Sequence, residues 1–413
     1  MFRKRDQQAA LRPDPVRPEE LGALYPFTGL ADDDLQVLLA CAVPESLAPG
    51  PLPAPMLTGD HLVYLLRGSV RIRVDGRLSR VVAAGSASAR FRLPSGMGRA
   101  IAVLEPSVLV RIPRRLAPPG EHFAVPLLAL GGAEKRATRA LSDHFHGGNC
   151  ELPSLPDLAL RIAHAIDDPN TRNEDIARLM RADPALAARV LSVVNSAAFR
   201  AGQRIASLDQ AVARLGRRRV RNLVVSCLLK GLFETDSTVL RQRMQELWQH
   251  SSQVAALSMV LARVTPGLDP DRALLAGLVH DIGEVAILSA ARGFPAMAEN
   301  AALLDAVTAA MRAEVGVLVL RRWGLAADLM EVAARAEDWQ RAGTMLPDNV
   351  DVVILAQLHA AIGSPRMHRL PRIDQVPAFH KLALGELSPR QSIALLDRAE
   401  TEVREVRQLL AGR

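Results

Sequence analysis

From residue 151 to its end the chain shows helix periodicity and no strand signal, so more than half of it is constrained to an all-helical fold. Leu155, Leu158, Ile162 and Ile166 recur every three to four residues, the spacing that gives a helix one apolar face. Asp167-Asp168-Pro169 ends that segment, because proline has no N–H for the helix ladder. Asn173 is the expected cap of the next helix. Asp183-Pro184 opens a third, with a carboxylate to accept free amides and proline where no donor is needed. Further helices are expected at 207–215, 217–233, 239–263, 271–291, 301–322, 326–338, 350–362 and 388–411.

Upstream the period changes. Residues 1–20 are polar and carry Pro13, Pro15 and Pro18, which predicts a mobile lead-in. Asp32-Asp33-Asp34 opens a short helix that runs to Leu39, with acidic side chains at its positive end. Val70, Ile72 and Val74 then alternate with Arg71 and Arg73, and Asp75-Gly76 supplies a hairpin turn. Strands at 78–83 and 101–112 complete a small β-rich domain. Residues 116–150 hold Pro118-Pro119-Gly120, a helical segment near 134–141, and His144-Phe145-His146 ahead of Cys150. His-x-His followed by Cys has zinc-like chemistry, but the Gly147-Gly148 flank and the missing fourth ligand favour a linker.

The expected fold is therefore α+β and multidomain: lead-in 1–20, β-roll 21–115, linker with a helix 116–150, helical domain 151–345 and C-terminal helical extension 346–413. A chain of 413 residues is too long for one ordinary core. No apolar run approaches the roughly 18 residues that span a bilayer, and the charged N-terminus leads into no apolar core, so no membrane or secretory segment is expected. Cys41, Cys150 and Cys227 are far apart, which fits a reduced cytoplasmic chain. The net charge of +7 permits an acidic partner. Aromatic residues make up only 3%, which argues against single-stranded nucleic acid held on stacking platforms.

Gly277-Leu278-Val279-His280-Asp281-Ile282-Gly283-Glu284 sets a His-Asp pair in an apolar helical frame. Ahead of it stand Leu152-Pro153-Ser154-Leu155-Pro156, Asp183-Pro184-Ala185-Leu186, Asn195-Ser196-Ala197-Ala198-Phe199 and Ile205-Ala206-Ser207-Leu208-Asp209-Gln210-Ala211-Val212. In this order the stretches resemble the HDOD family, helical relatives of the HD phosphohydrolases found in bacterial signalling proteins. Asp60-His61-Leu62-Val63-Tyr64-Leu65-Leu66-Arg67-Gly68 and Arg99-Ala100-Ile101-Ala102-Val103 resemble parts of cyclic-nucleotide-binding domains. There the resemblance gives Arg99 the cyclic phosphate. The carboxylate that holds the ribose has no counterpart in the stretch 85–94.

The HD resemblance implies metal ligands from several helices, because a metal needs more donors than one dipeptide offers. His250, His280 and Asp281 match. The later Asp falls at Gln357, a further His of the cyclic-dinucleotide phosphodiesterase branch at Arg312, and its His-His pair at Ala336-Glu337. Ile282-Gly283-Glu284 follows Asp281 in place of that branch's Gly-Tyr-Pro. A guanidinium repels metal and cannot replace imidazole. The triad then reads as a buried hydrogen-bonded set, with a vestigial metal or ligand site as the other reading. No catalytic residue, metal or cofactor is assigned.

Arg217, Arg218, Arg219 and Arg221 form the densest basic run. It is read as a solvated face or, with Arg99, as a candidate phosphate site. The expected function is regulation through protein–protein contact with another signalling protein, with a homodimer through the β-roll as a further expectation. A metal phosphohydrolase using the triad and a nucleotide sensor using Arg99 or the arginine run are the alternatives.

Overall fold

The alternating stretch folds into two antiparallel sheets and the helix-periodic remainder into helices. The structure, a computed structural model, describes residues 15–411 apart from 26, 29, 58–60, 75–76, 95–98, 114–130, 147–151, 169, 197–203, 383–393 and 395–398. The chain divides into two compact units. One comprises 1–121, 340–347 and 376–387, and the other 122–339, 348–375 and 388–413. The contiguous domains expected from the sequence differ from these units, since two segments beyond residue 339 pack with the β-roll.

The first unit opens with α1 (Pro18–Gly22) and α2 (Asp32–Cys41), the latter with three aspartates in its first turn. Then come β1 (Val43–Leu47), β2 (Gly50–Pro51), α3 (Ala54–Leu57), β3 (His61–Arg67), β4 (Ser69–Val74), β5 (Arg77–Ala83), β6 (Arg99–Val103) and β7 (Ser107–Pro113). One sheet is ordered β1-β7-β3 and the other β2-β6-β4-β5. On β4, Val70 and Ile72 are buried while Arg73 is exposed, as alternation across a strand requires. The expected turn at Asp75-Gly76 and most of the lead-in lie outside the described residues.

The core of this roll gathers Val63, Leu65, Val70, Ile72, Phe91 and Leu109, and Met345 and Leu346 complete it. The segment carrying Met345 is held by backbone pairing: its amide donates to the Arg92 carbonyl at 2.9 Å, and Arg92 Nε donates to the Gly343 carbonyl at 3.2 Å. Later, α17 (Pro377–Lys381) returns to the same unit. Its Lys381 carbonyl accepts from Arg80 at 2.6 Å, and the Lys381 ammonium lies 5.1 Å from the centre of the Phe91 ring.

The second unit contains α4 (Gly132–His146), α5 (Asp157–Asp167), α6 (Asn173–Arg181), α7 (Pro184–Asn195), α8 (Leu208–Leu215), α9 (Arg217–Leu228), α10 (Thr238–Val264), α11 (Pro270–Val279), α12 (Ile282–Ala291), α13 (Pro295–Ala298), α14 (Ala301–Arg322), α15 (Ala327–Arg335) and α16 (Asn349–Ala360); α18 (Glu400–Ala411) closes it. Asp183, Ser237, Asp269, Asn300 and Asp348 cap their helices by accepting first-turn amides. Asn173 is not a cap, contrary to expectation. Arg172 holds that position, its amide donating to Asp175 at 3.2 Å, and the Asn173 side-chain oxygen Oδ1 accepts from Arg217 instead. The helix expected inside the linker, α4, is packed into the unit through Leu141 and Phe145.

The helix expected over 271–291 is broken. It ends at Val279, and Asp281 takes φ −107° and ψ 22° before α12 begins. Pro270–Ala291 is also long and apolar enough by composition to cross a membrane, with a mean hydropathy of 1.6, a length the sequence reading did not anticipate. In the structure 83% of that window is buried inside the helical unit.

Candidate functional site

The break between α11 and α12 creates the site, and two glycines set its walls. A Cβ on Gly277 would sit 2.6 Å from Ala255 Cα, so α11 can lie this close to α10 only with glycine there. A Cβ on Gly283 would overlap the Arg312 carbonyl and come within 2.7 Å of the Gly316 nitrogen. The first contact brings His280 toward His250 on α10, and the second brings Arg312 on α14 toward Asp281. His280 Nδ1 lies 2.8 Å from the Gly277 carbonyl oxygen. A carbonyl only accepts, so Nδ1 carries the proton of that bond and Nε2 turns to the carboxylate.

The structure brings the three residues of the expected triad together. His280 Nε2 is 3.0 Å and His250 Nε2 3.7 Å from Asp281 Oδ2. The two rings stand edge-to-face with centroids 5.2 Å apart. One ligand atom from each residue lies within 4.8 Å of the others. Neither Nε2 has a partner in hydrogen-bond geometry among the described residues, although both are shut off from solvent. The hydrogen-bonded triad expected from sequence is therefore a set of close contacts with two orphaned ring nitrogens.

Asp281 finds its counter-charge on α14. Arg312 donates to Asp281 Oδ1 at 3.1 Å and also pairs with Glu337. Burial works to raise the Asp281 pKa, but His280, Arg312 and His250 together overcome it and hold the carboxyl well below the usual range. Burial, reinforced by His280, pushes the His250 pKa down to about 3, so that ring is neutral at ordinary pH. Nearby, Arg243 pairs with Glu284 at 3.4 Å and reaches Asp305. Burial and the neighbouring Asp281 raise the Glu284 pKa. The inner members of this network, Asp281 and Glu284 against Arg312 and Arg243, balance two charges against two.

The positions read from sequence as lost ligands are the ones that build this closure. Arg312 and Glu337 form the ion pair, and Gln357 donates from Nε2 to the Ala336 carbonyl at 2.6 Å, anchoring the residue beside Glu337. Arg243, Glu284 and Asp305 were not singled out by sequence reasoning. Arg243 lies seven residues before His250, two turns along one helix face, and that spacing was the available signal.

Two imidazole nitrogens and a carboxylate oxygen are donors that suit one divalent ion. The remaining surroundings do not fit a catalytic metal centre. Arg312 already supplies the cation at Asp281, α16 offers an amide turned to a carbonyl, and no fourth acidic or imidazole ligand stands with the three among the described residues. At an effective dielectric of about 20, two like unit charges about 4 Å apart repel by roughly 4 kcal/mol, and a divalent ion doubles that.

Two members of the arginine run are committed within the protein. Arg217 donates to Asn173 Oδ1 at 3.0 Å, to the Asp168 carbonyl at 3.2 Å and to the Thr171 carbonyl, closing the α5–α6 loop. Arg219 pairs with the buried Asp271 at the start of α11. Arg218 is exposed and Arg221 half-buried. Arg99 begins β6 opposite Val74, and its side chain lies outside the described residues. In the preceding stretch Phe91 is fully buried in the roll, Arg90 donates to the Ala23 carbonyl at 3.0 Å, and Arg92 is committed to Gly343. The His144 ring packs edge-on against Phe294 at 5.8 Å, while Cys150 and the His146 side chain are outside the described residues.

Comparison with known proteins follows the helical unit. Residues 152–339 match the family model of the HDOD domain, whose last matched residue, Trp339, is also where the chain leaves the helical unit. An uncharacterized protein of Treponema pallidum (strain Nichols) is 31% identical over 192 residues, 42% of this chain and 35% of that protein, so the match spans about a third of the relative. A solved structure from Shewanella amazonensis SB2B, described as a candidate metal-dependent phosphohydrolase, shares the fold at TM-score 0.58 and 24% identity, covering 68% of this chain and all of its own. An HDOD domain protein with unknown function from Geobacter sulfurreducens aligns at TM-score 0.46 and 22% identity, covering 67% of this chain and 98% of its own.

Proposed function

We propose that this chain, whose residues 152–339 form an HDOD domain, is a bacterial signalling protein that acts by binding another protein and not by hydrolysing a phosphoester. The observation that carries the reading is the Arg312 guanidinium on Asp281, paired in turn with Glu337. A phosphohydrolase needs an open, positively charged metal face toward substrate. Here the carboxylate that would hold the metal is neutralised from within the protein. The filled interior of the β-roll supports a structural or dimerising part for that unit in preference to nucleotide sensing.

Elemental mass spectrometry of the purified tag-free protein, beside a His280→Ala, Asp281→Ala variant, tests this. The expected result is no metal above background in either protein, and no hydrolysis of bis(p-nitrophenyl) phosphate with added manganese. Near-stoichiometric manganese, iron or zinc that the variant loses, together with turnover, overturns the reading in favour of a reduced HD-type hydrolase.

A further inference from the structure

A cleft of about 700 Å3 opens on the helical unit among the 3-10 turn Leu229–Phe233, α10 and α18. We propose that it binds a small anionic ligand bearing a flat ring, of the nucleotide class. Its volume lies in the range of small-molecule sites. Among the described residues three cations line it, Lys230, Arg404 and Arg407, against the single carboxylate of Glu234.

The cations are not equally occupied. Lys230 donates to the Ala411 carbonyl at 2.8 Å, and Arg404 pairs with Glu400 at 2.7 Å on the surface. Arg407 differs: its Nε is shut off from solvent and meets no hydrogen-bond partner among the described residues. A buried guanidinium N–H without an acceptor is an unmet demand in a folded protein. Phosphate and carboxylate oxygens meet it best, because the planar fork binds them through two parallel bonds.

The anion explains only part of the cleft. Trp248 and Phe233 form one wall, their rings 5.1 Å apart and inclined at 64°. In a chain with only 3% aromatic residues, two of them share this cleft with three cations. A bare phosphate would leave that wall unused, and an apolar ligand would leave the Arg407 Nε without an acceptor. A base stacked on the aromatic wall with its phosphate on Arg407 uses both. The Gln249 amide beside Trp248 offers a donor and an acceptor to a base edge.

This cleft is separate from the His-Asp corner. Trp248 and His250 are two residues apart on α10 and so project to different sides of it. The inference stands whether or not the protein-binding reading holds.

Isothermal titration of the full chain with ATP, GTP and cyclic di-GMP tests it, with adenosine as the ring-only control and pyrophosphate as the anion-only control. One nucleotide is expected to saturate at one site per chain in the micromolar range, at least tenfold tighter than either control. Arg407→Gln and Trp248→Leu are each expected to weaken it tenfold or more at unchanged melting temperature, and the exposed Arg218→Ala to leave it alone. Should either variant melt early, Gln249→Ala supplies the same test with a smaller change and an expected weakening of a few-fold. Absence of saturable binding at millimolar concentrations overturns the proposal. So does binding that survives these variants but is lost on Arg99→Ala, or pyrophosphate binding as tightly as any nucleotide.

Discussion

The interior of the β-roll and the His-Asp corner of the helical unit are both filled by the chain itself, with different materials. The roll is filled with apolar side chains: Phe91 from its own loop and Met345 and Leu346 from a segment some 250 residues later. The corner is filled with charge, Arg312 standing on Asp281 and Glu337. Apolar filling is graded, because each methylene removed costs its transfer energy plus a share of cavity. Ionic filling is steep, because removing one partner strands the other in a poorly solvated place. The two regions should therefore fail differently, and four measurements test that difference.

The largest effect is expected from Gly283→Ala. The added methyl would collide with backbone of α14, which no side-chain rotation can relieve. A loss of more than about 5 kcal/mol, measured by chemical denaturation followed at helical circular dichroism, is expected. A loss under about 1 kcal/mol would mean that α12 and α14 do not hold Arg312 against Asp281 in the way described, and the ionic side of the comparison would fall.

Arg312→Ala comes next, at about 3–5 kcal/mol, the usual cost of stranding one member of a buried pair. Adding Asp281→Asn should recover part of that loss, since the stranded charge is then gone. A coupling of about 0.5–3 kcal/mol between the two sites in a double-mutant cycle is expected. Independent, additive losses would show that the guanidinium is not the counter-ion of this carboxylate. On the apolar side Met345→Ala should cost about 3 kcal/mol and Met345→Leu less than about 1.5 kcal/mol. Hydrogen exchange of the β3 and β4 amides would read both. Equal losses for the two would show that charge or backbone, and not apolar volume, is what the segment contributes.

Much of this was legible in the sequence. The bounds of α14 fell at 301–322 as the periodicity required, and His250, His280 and Asp281 were picked out as one set. The same reading marked Arg312, Glu337 and Gln357 as wrong for a metal site. It could not join them to one another, because their partnership depends on α12, α14, α15 and α16 meeting in space. The break at His280-Asp281 was missed for a local reason: apolar residues continue on both sides without a proline. The return of 340–347 to the roll was missed for a non-local one, since its signal is two apolar residues, Met345 and Leu346, with no strand-like run around them. The bonds of the arginine run were not legible, because charge density reads as surface, whereas Arg217 and Arg219 are spent on a loop carbonyl set and a buried aspartate.

Acid offers the smallest and most discriminating measurement, because the lowered pKa of His359 on α16 comes from burial, in the unit that elsewhere closes its site with charge. Burial lowers its pKa to about 4 in the folded chain, against about 6.5 unfolded. Its folded pKa is the depressed one, so the unfolded chain takes up the proton first. Stability is complete above pH 6.5 and is lost as the pH falls toward 4, by about 2 kcal/mol at pH 5. His250, depressed to about 3, adds a loss of the same sign that begins in the same window. Asp281 behaves otherwise. Its pKa is held below the usual carboxylate value, so the stability it brings is intact throughout that window and drains only at lower pH. Denaturation midpoints of the wild type and His359→Gln between pH 7 and 5 separate the two kinds of closure. The variant should be less stable at pH 7 and should lose less on acidification. If its midpoint falls in parallel with the wild type, burial does not depress the His359 pKa and that residue is not a source of the acid loss.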